Sequence, residues 1–329
     1  MGNLSLTLAC GPYDRFEALH NGIVRPEGID LTYLAIQSPP EIFVRMVKNF
    51  SFDIAEMSAS MYIIRKAQGN FPFVALPIFP LRMFRHGFIF VNTQSGIKTP
   101  KDLDGKCIGV QEYRQTAGVW IRGILQSEYG VSFANVKWFE GGVNTSRRPD
   151  PAMDLRPQKE ILIESIPEGK TLSDMLAAGE IDALLGARKP NALGASPHVA
   201  RLFPNYREVE RAFYKKTGVF PIMHTLVMKE DLYRQKPWVA ESIYKACEEA
   251  KAWCLKQMQF SGAIRYMLPW LLADIDEMAE VFGKDAWPYG IERNQRTLDM
   301  LVQYLVSQHF LSKPVKLEDM FARIVTWSE

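Results

Sequence analysis

Ser95-Gly96-Ile97-Lys98-Thr99-Pro100-Lys101-Asp102-Leu103-Asp104-Gly105-Lys106-Cys107-Ile108-Gly109-Val110 is the stretch in which the chain begins a second folding unit. Thr99 is placed to cap a short helix with Pro100 in its first turn. Behind Lys106, the apolar run from Cys107 to Val110 reads as a buried strand, the first of a new βα series. One such series is already complete upstream. Leu4 to Ala9 and Ile29 to Ile36 read as strands, and Ser38 caps a helix with Ile42, Phe43, Met46 and Val47 on one face. Asp53 to Glu56, Phe73 to Phe79 and Phe88 to Val91 are further strands, and Ser58 can cap a helix after the first of them.

Downstream, a helix from about Arg114 to Glu128 turns Val119, Trp120 and Ile124 inward. Strands are expected from Val136 to Phe139, Ile161 to Ile166 and Ile181 to Leu185, with Thr171 and Asp174 opening a helix before the last. Gly141 to Glu160, rich in Gly, Pro and charge, reads as a surface loop. Pro221 to Met228 reads as a strand returning to the first series, followed by helices at Pro237 to Met258, Gly262 to Leu272 and Asn294 to Ser307. The expected architecture is therefore α/β with two lobes: residues 1–92 and 221–329 form lobe one and residues 93–220 lobe two. Two crossing segments join them, and a ligand is expected in a cleft between the lobes.

Bulk properties narrow the function. A chain of 329 residues is long for a single core. At 47% hydrophobic and 23% charged it has globular values, and its net charge of +2 excludes the strong basic excess of a nucleic-acid binder. Met1 to Cys10 lacks the basic and long apolar regions of a signal peptide, and no apolar run reaches the length of a membrane span. A cytoplasmic protein is expected, with no nucleic-acid or membrane partner. The four cysteines show no CxxC, and Cys107, Cys247 and Cys254 read as buried apolar thiols.

Several polar clusters follow strands, where open α/β sheets bind ligands. They are Tyr13-Asp14-Arg15, Ser58-Ala59-Ser60, Gln111 to Thr116, and Arg188. His224 sits within a strand. Leu81-Arg82-Met83-Phe84-Arg85-His86 heads another with two guanidiniums and an imidazole, which suits an anion pocket with a proton carrier. Each has an ordinary alternative: a local Asp14–Arg15 pair, serine N-caps, a core histidine at 224, or a polar strand edge at Arg82 to His86. Regular strand alternation would let Arg82 and His86 meet one ligand and turn Arg85 away, so an irregular backbone is expected there if all three serve one site. His20, His198 and His309 read as surface residues. There is no GxGxxG after a strand, no P-loop, no GxSxG and no HExxH.

The Ser95 to Val110 phrase resembles type II periplasmic solute-binding proteins. More specific are Tyr13-Asp14-Arg15, Arg25-Pro26-Glu27-Gly28-Ile29-Asp30-Leu31, Ala55-Glu56-Met57-Ser58, Phe84-Arg85-His86, Glu112-Tyr113, Phe220-Pro221-Ile222-Met223-His224 and Trp287-Pro288-Tyr289-Gly290. Together they resemble the 4,5-dihydroxyphthalate decarboxylase family, from about Leu4 to Asn294. The resemblance implies an enzyme on a binding-protein fold that removes one carboxylate from a dihydroxylated phthalate, giving protocatechuate or a close analogue. A solute-binding protein without chemistry, or another enzyme on the same fold such as a chorismate dehydratase-like protein, is the alternative.

Such a reaction needs a proton delivered to a ring carbon, and His86 or His224 is the candidate acid, the other acting on a ring hydroxyl. Asp14 or Glu112 would orient a histidine or take a catechol proton. Arg82, Arg85, Arg15 or Arg188 would grip the carboxylate that stays, because a cation on the departing one stabilises the ground state. Tyr13, Ser58, Ser60, Tyr113 and Thr116 complete the expected substrate contacts. No cofactor is expected. A divalent metal on His86, His224, Asp14 and Glu112 from separate loops stays open, as does a homo-oligomer. The expected partner is a small aromatic dicarboxylate.

Overall fold

The computed structural model describes residues 2–69, 71–147, 150 and 153–324. Eleven strands are found there: β1 (Leu4–Cys10), β2 (Ile29–Ala35), β3 (Ile54–Ser58), β4 (Phe73–Leu76), β5 (Ile89–Asn92), β6 (Cys107–Val110), β7 (Lys137–Glu140), β8 (Ile163–Ser165), β9 (Ala183–Leu185), β10 (Val199–Arg201) and β11 (His224–Lys229). They form a five-stranded sheet of order β2-β1-β3-β11-β4 and a six-stranded sheet of order β10-β5-β9-β6-β7-β8.

The described residues fall into two compact units. The first is drawn from Met1–Arg82, Ile222–Leu298 and Val315–Glu329, the second from Met83–Pro221 and Asp299–Pro314. The expected lobe limits at 92 and 93 shift because β5 pairs with β9 and β10, so it belongs wholly to the second sheet. Besides the two expected crossings, the chain passes between units twice more, since 299–314 joins the second unit. There Tyr304 packs its ring on Trp120 at 5.5 Å and meets the Ser127 hydroxyl at 2.8 Å. Gln308 takes the Arg122 guanidinium at 2.9 Å.

In the first unit, β1 runs parallel to β2 and β3, while β11 lies antiparallel between β3 and β4. All five residues of β3 are buried, a carboxylate among them. In the second unit Phe90, Leu172, Leu176, Ile181 and Leu184 form one apolar cluster. The predicted caps at Thr99 and Thr171 are present: the Thr171 hydroxyl accepts from the Asp174 amide, and Thr99 and Asp102 form a reciprocal capping box.

The helix expected from Gly262 to Leu272 is displaced to Leu271–Phe282. Pro269 has no N–H to give and disfavours helical backbone at Leu268, so the helix starts beyond it. Among the elements that carried no expectation are β10 and the helices Glu17–His20, Tyr206–Thr217 and Glu230–Gln235. From Arg82 to Phe88 the chain makes one bridge, Arg82 to Ile222, and then a 3₁₀ turn at His86–Phe88. Among the cysteines, Cys107 is half-exposed rather than buried.

Candidate active site

Strand alternation builds the site in the first unit. Glu56 and Ser58 share one face of β3, and antiparallel pairing sets His224 of β11 directly opposite Ser58. The His224 imidazole thus reaches diagonally to Glu56, with Nδ1 2.5 Å from Oε1. β1 lies on the other side of β3, and the loop leaving it brings two more donors. The Tyr13 hydroxyl donates to Oε1 at 2.7 Å and the Gly11 amide to Oε2 at 2.9 Å. The Cys10 thiol is 3.5 Å from Oε2. Glu56 is wholly buried, whereas the His224 side chain keeps 14% exposure.

A buried carboxylate needs such company. Burial alone pushes the Glu56 carboxyl up, but His224, by hydrogen bond and charge, together with Tyr13 and Gly11 outweighs it and holds Glu56 below the usual carboxylate range. Burial and the Glu56 charge push the Tyr13 phenol and the Cys10 thiol well up, so both stay protonated. Phe43 stands edge-on to the His224 ring at 5.1 Å and keeps one side of it apolar. With Nδ1 on Glu56, Nε2 is the nitrogen left to meet a substrate.

Around this pair the first unit gathers six of the expected site residues: Tyr13, Asp14, Arg15, Ser58, Ser60 and His224. The Ser58 and Ser60 hydroxyls are 3.4 Å apart, at the start of the helix Ala59–Ala67. Arg15 is sandwiched between the Tyr13 and Trp287 rings, at 4.3 and 4.4 Å. Its guanidinium also donates to the Pro80 carbonyl and, at 3.0 Å, to Asp14. Asp14 is therefore tied to Arg15 rather than to His224. Tyr13, Asp14, Glu17, His20, Tyr33 and Tyr266 line a pocket of about 280 Å³ beside the cluster.

Arg82, in the same unit, is committed elsewhere. It is buried and donates to the Pro288 carbonyl at 2.9 Å and to the Asn294 side chain. This ties the segment before the first crossing to the Trp287 loop.

The remaining expected residues lie in the second unit and do not form one cluster. His86 is buried among Phe203, Phe213 and Tyr129, with Glu210 at 3.9 Å. Burial pushes its imidazole down to about 4, a shift that the charge of Glu128 opposes. A neutral imidazole in an aromatic box carries no proton to deliver at neutral pH. An NMR titration is expected to find the His86 midpoint near 4, and a midpoint near the ordinary 6.5 would contradict this burial. Arg85 is also buried, over Phe88 at 5.0 Å, and burial pushes it down to about 10 against the pull of Glu210.

Glu112 is closed off between Arg114 at 2.6 Å and Arg147 at 2.8 Å. The Tyr113 ring is in the core, with the Arg122 guanidinium 3.8 Å above it and Trp138 at its edge. Thr116 is buried at the start of the helix Thr116–Tyr129, and Arg188 is exposed beyond β9. Among the described residues no group of three His, Cys, Asp or Glu is arranged to hold a metal ion. No helix there is long and apolar enough to cross a membrane.

Glu56 itself carried no expected role. Its signs were an acidic residue in the mostly apolar run Ile54 to Ser58 and its place in the Ala55-Glu56-Met57-Ser58 phrase that carries the family resemblance.

Known proteins bear on this arrangement. No family model matches the chain. A 4,5-dihydroxyphthalate decarboxylase of Comamonas testosteroni is 36% identical over 310 residues, 94% of this chain and 92% of that protein. The chain belongs to the 4,5-dihydroxyphthalate decarboxylase family. A second member, from Pseudomonas putida, is 37% identical over 216 residues, 65% of this chain and 83% of that protein. For this decarboxylase-family chain the fold also has solved counterparts. The periplasmic aliphatic sulphonate binding protein from Escherichia coli matches with a TM-score of 0.55 at 12% identity, covering 98% of each chain. The family thus sets an enzyme on a periplasmic-binding-protein fold.

Proposed function

We propose that the chain is a carboxy-lyase that removes one carboxylate from 4,5-dihydroxyphthalate or a close analogue, with His224 as the proton carrier. The observation that carries this is the 2.5 Å contact between His224 Nδ1 and the buried Glu56 carboxylate. Breaking the bond to the departing carboxylate leaves its electron pair on a ring carbon, and a ring hydroxyl shares that charge. The carbon then takes a proton from His224 Nε2, so each turnover consumes one proton and releases one carbon dioxide. Glu56 fixes the ring and its tautomer and balances the imidazolium charge.

The departing carboxylate belongs on the apolar side of the imidazole, near Phe43, because a cation on it would stabilise the ground state. For the retained carboxylate, Ser58, Ser60 and the positive end of the helix Ala59–Ala67 supply donors within this unit, with Arg15 supplying charge. The proposal keeps the expected cytoplasmic setting.

The test is incubation of the purified chain with 4,5-dihydroxyphthalate, with and without chelator. Protocatechuate and carbon dioxide are expected in equal amounts in both arms. Tight binding without turnover would instead establish a solute-binding protein, and loss of turnover on chelation would move activation of the ring hydroxyl to a metal.

A further inference from the structure

Residues 257–273, which link the helix Trp238–Met258 to Leu271–Phe282, contain one charged side chain, Arg265. That side chain is bound within the molecule, to Glu17 and over the Trp253 ring. The rest of the segment is uncharged, and most of its large apolar side chains are uncovered. Met267 is fully exposed, Phe260, Ile264, Leu268 and Trp270 are between 52% and 75% exposed, and Leu272 is 41% exposed. These six are half of the twelve exposed large apolar side chains among the described residues.

At about 200 Å² for a fully exposed large apolar side chain, these fractions leave on the order of 700–800 Å² uncovered. The largest apolar patch of an ordinary monomer is about 300–600 Å². Each partner in a stable interface of standard size buries about 800 Å². The patch therefore matches what one half of a dimer requires. Its chemistry matches too, because interface centres are depleted in charge and enriched in Trp, Phe and Met.

We propose that residues 260–272 form the surface through which two copies of this chain associate. An uncharged patch is self-complementary about a two-fold axis, the commonest way for a soluble chain to pair. The flanks support a second copy over a lipid surface. The helix Leu271–Phe282 carries Asp274, Asp276, Glu277 and Glu280 and no basic residue, so an anionic bilayer repels it. Lys256, exposed at the other end of the segment, carries the charge opposite to that of this acidic helix, which suits antiparallel pairing of two copies. The segment is anchored for this role by buried Leu271 and by the Arg265–Glu17 pair.

Sedimentation velocity of the full chain across a range of concentrations tests the proposal. The unmodified chain is expected to dimerise, and the double variant Met267→Glu, Trp270→Glu to raise the dissociation constant by roughly 30-fold or more at unchanged circular dichroism. Independently of any variant, amide exchange within 260–272 is expected to slow as protein concentration rises. A chain that stays monomeric, a double variant that associates like the parent, or concentration-independent exchange would each overturn the proposal. So would a monomer that sediments with phosphatidylcholine–phosphatidylglycerol vesicles, which would assign the patch to lipid.

Discussion

His224→Gln is expected to lower kcat by about 10²–10⁴, the usual contribution of a positioned general acid. Glutamine is the informative replacement because its amide can still donate to Glu56, so the buried carboxylate is not left alone and the fold should hold. It has no proton to lose at neutral pH, and only the chemistry is removed. KM should move little, since the groups assigned to the retained carboxylate, Ser58, Ser60 and Arg15, are untouched. His86→Phe is the matched control. Phenylalanine suits the box of Tyr129, Phe203 and Phe213, and turnover should stay within a few-fold of the parent. Steady-state kinetics on the two variants separates the histidines. A His224→Gln enzyme within tenfold of the parent, beside an inactive His86→Phe, would reverse the assignment.

The contrast between these histidines shows what a sequence can and cannot convey here. His86 heads an apolar run behind two arginines and His224 sits inside one, and neither setting shows which ring meets a carboxylate. Their fates are set by what packs against them: a carboxylate from β3 for His224, and aromatic rings from 129, 203 and 213 for His86. The arginines were ambiguous for the same reason. Arg82 is claimed by Asn294 and Arg15 by Pro80, partners far along the chain that no local pattern announces. Features whose cause is local were legible. The Thr99 and Thr171 caps, the strands β1 and β6 and the return of β11 to the first sheet all follow from neighbouring residues and apolar periodicity. The helix misplaced at Gly262 shows the limit of periodicity alone, because its apolar spacing was counted across Pro269.

Glu56→Gln is expected to cost as much turnover as the loss of His224 itself, although Glu56 touches no substrate in the proposed reaction. The carboxylate accepts from His224 and Tyr13 on one oxygen and from Gly11 on the other. An amide cannot accept on both sides. Its oxygen must serve the Gly11 amide or the Tyr13 hydroxyl, and the arrangement that keeps Gly11 satisfied points the NH₂ group at His224 Nδ1. That forces the proton onto Nε2 of a neutral ring, and the imidazolium loses its counter-charge. A carboxylate-to-amide change behind a catalytic histidine can lower kcat by about 10⁴, and here the cause is that a neutral ring is a far weaker acid at Nε2 than the imidazolium that Glu56 supports.

Stability should respond with a defined sign. Because folding holds the Glu56 carboxyl below its ordinary value, the ionised group stabilises the native state above about pH 4.3. That contribution is lost as pH falls through the depressed value. The parent should therefore weaken steeply on acidification, and Glu56→Gln should flatten that limb in urea titrations taken across pH. Glu56→Ala goes further, leaving the imidazolium and two donors without a buried acceptor at about 3–5 kcal/mol. If Glu56→Gln kept full turnover and the parent's acid limb, the carboxylate would be a structural group only, and His224 would be positioned by something else.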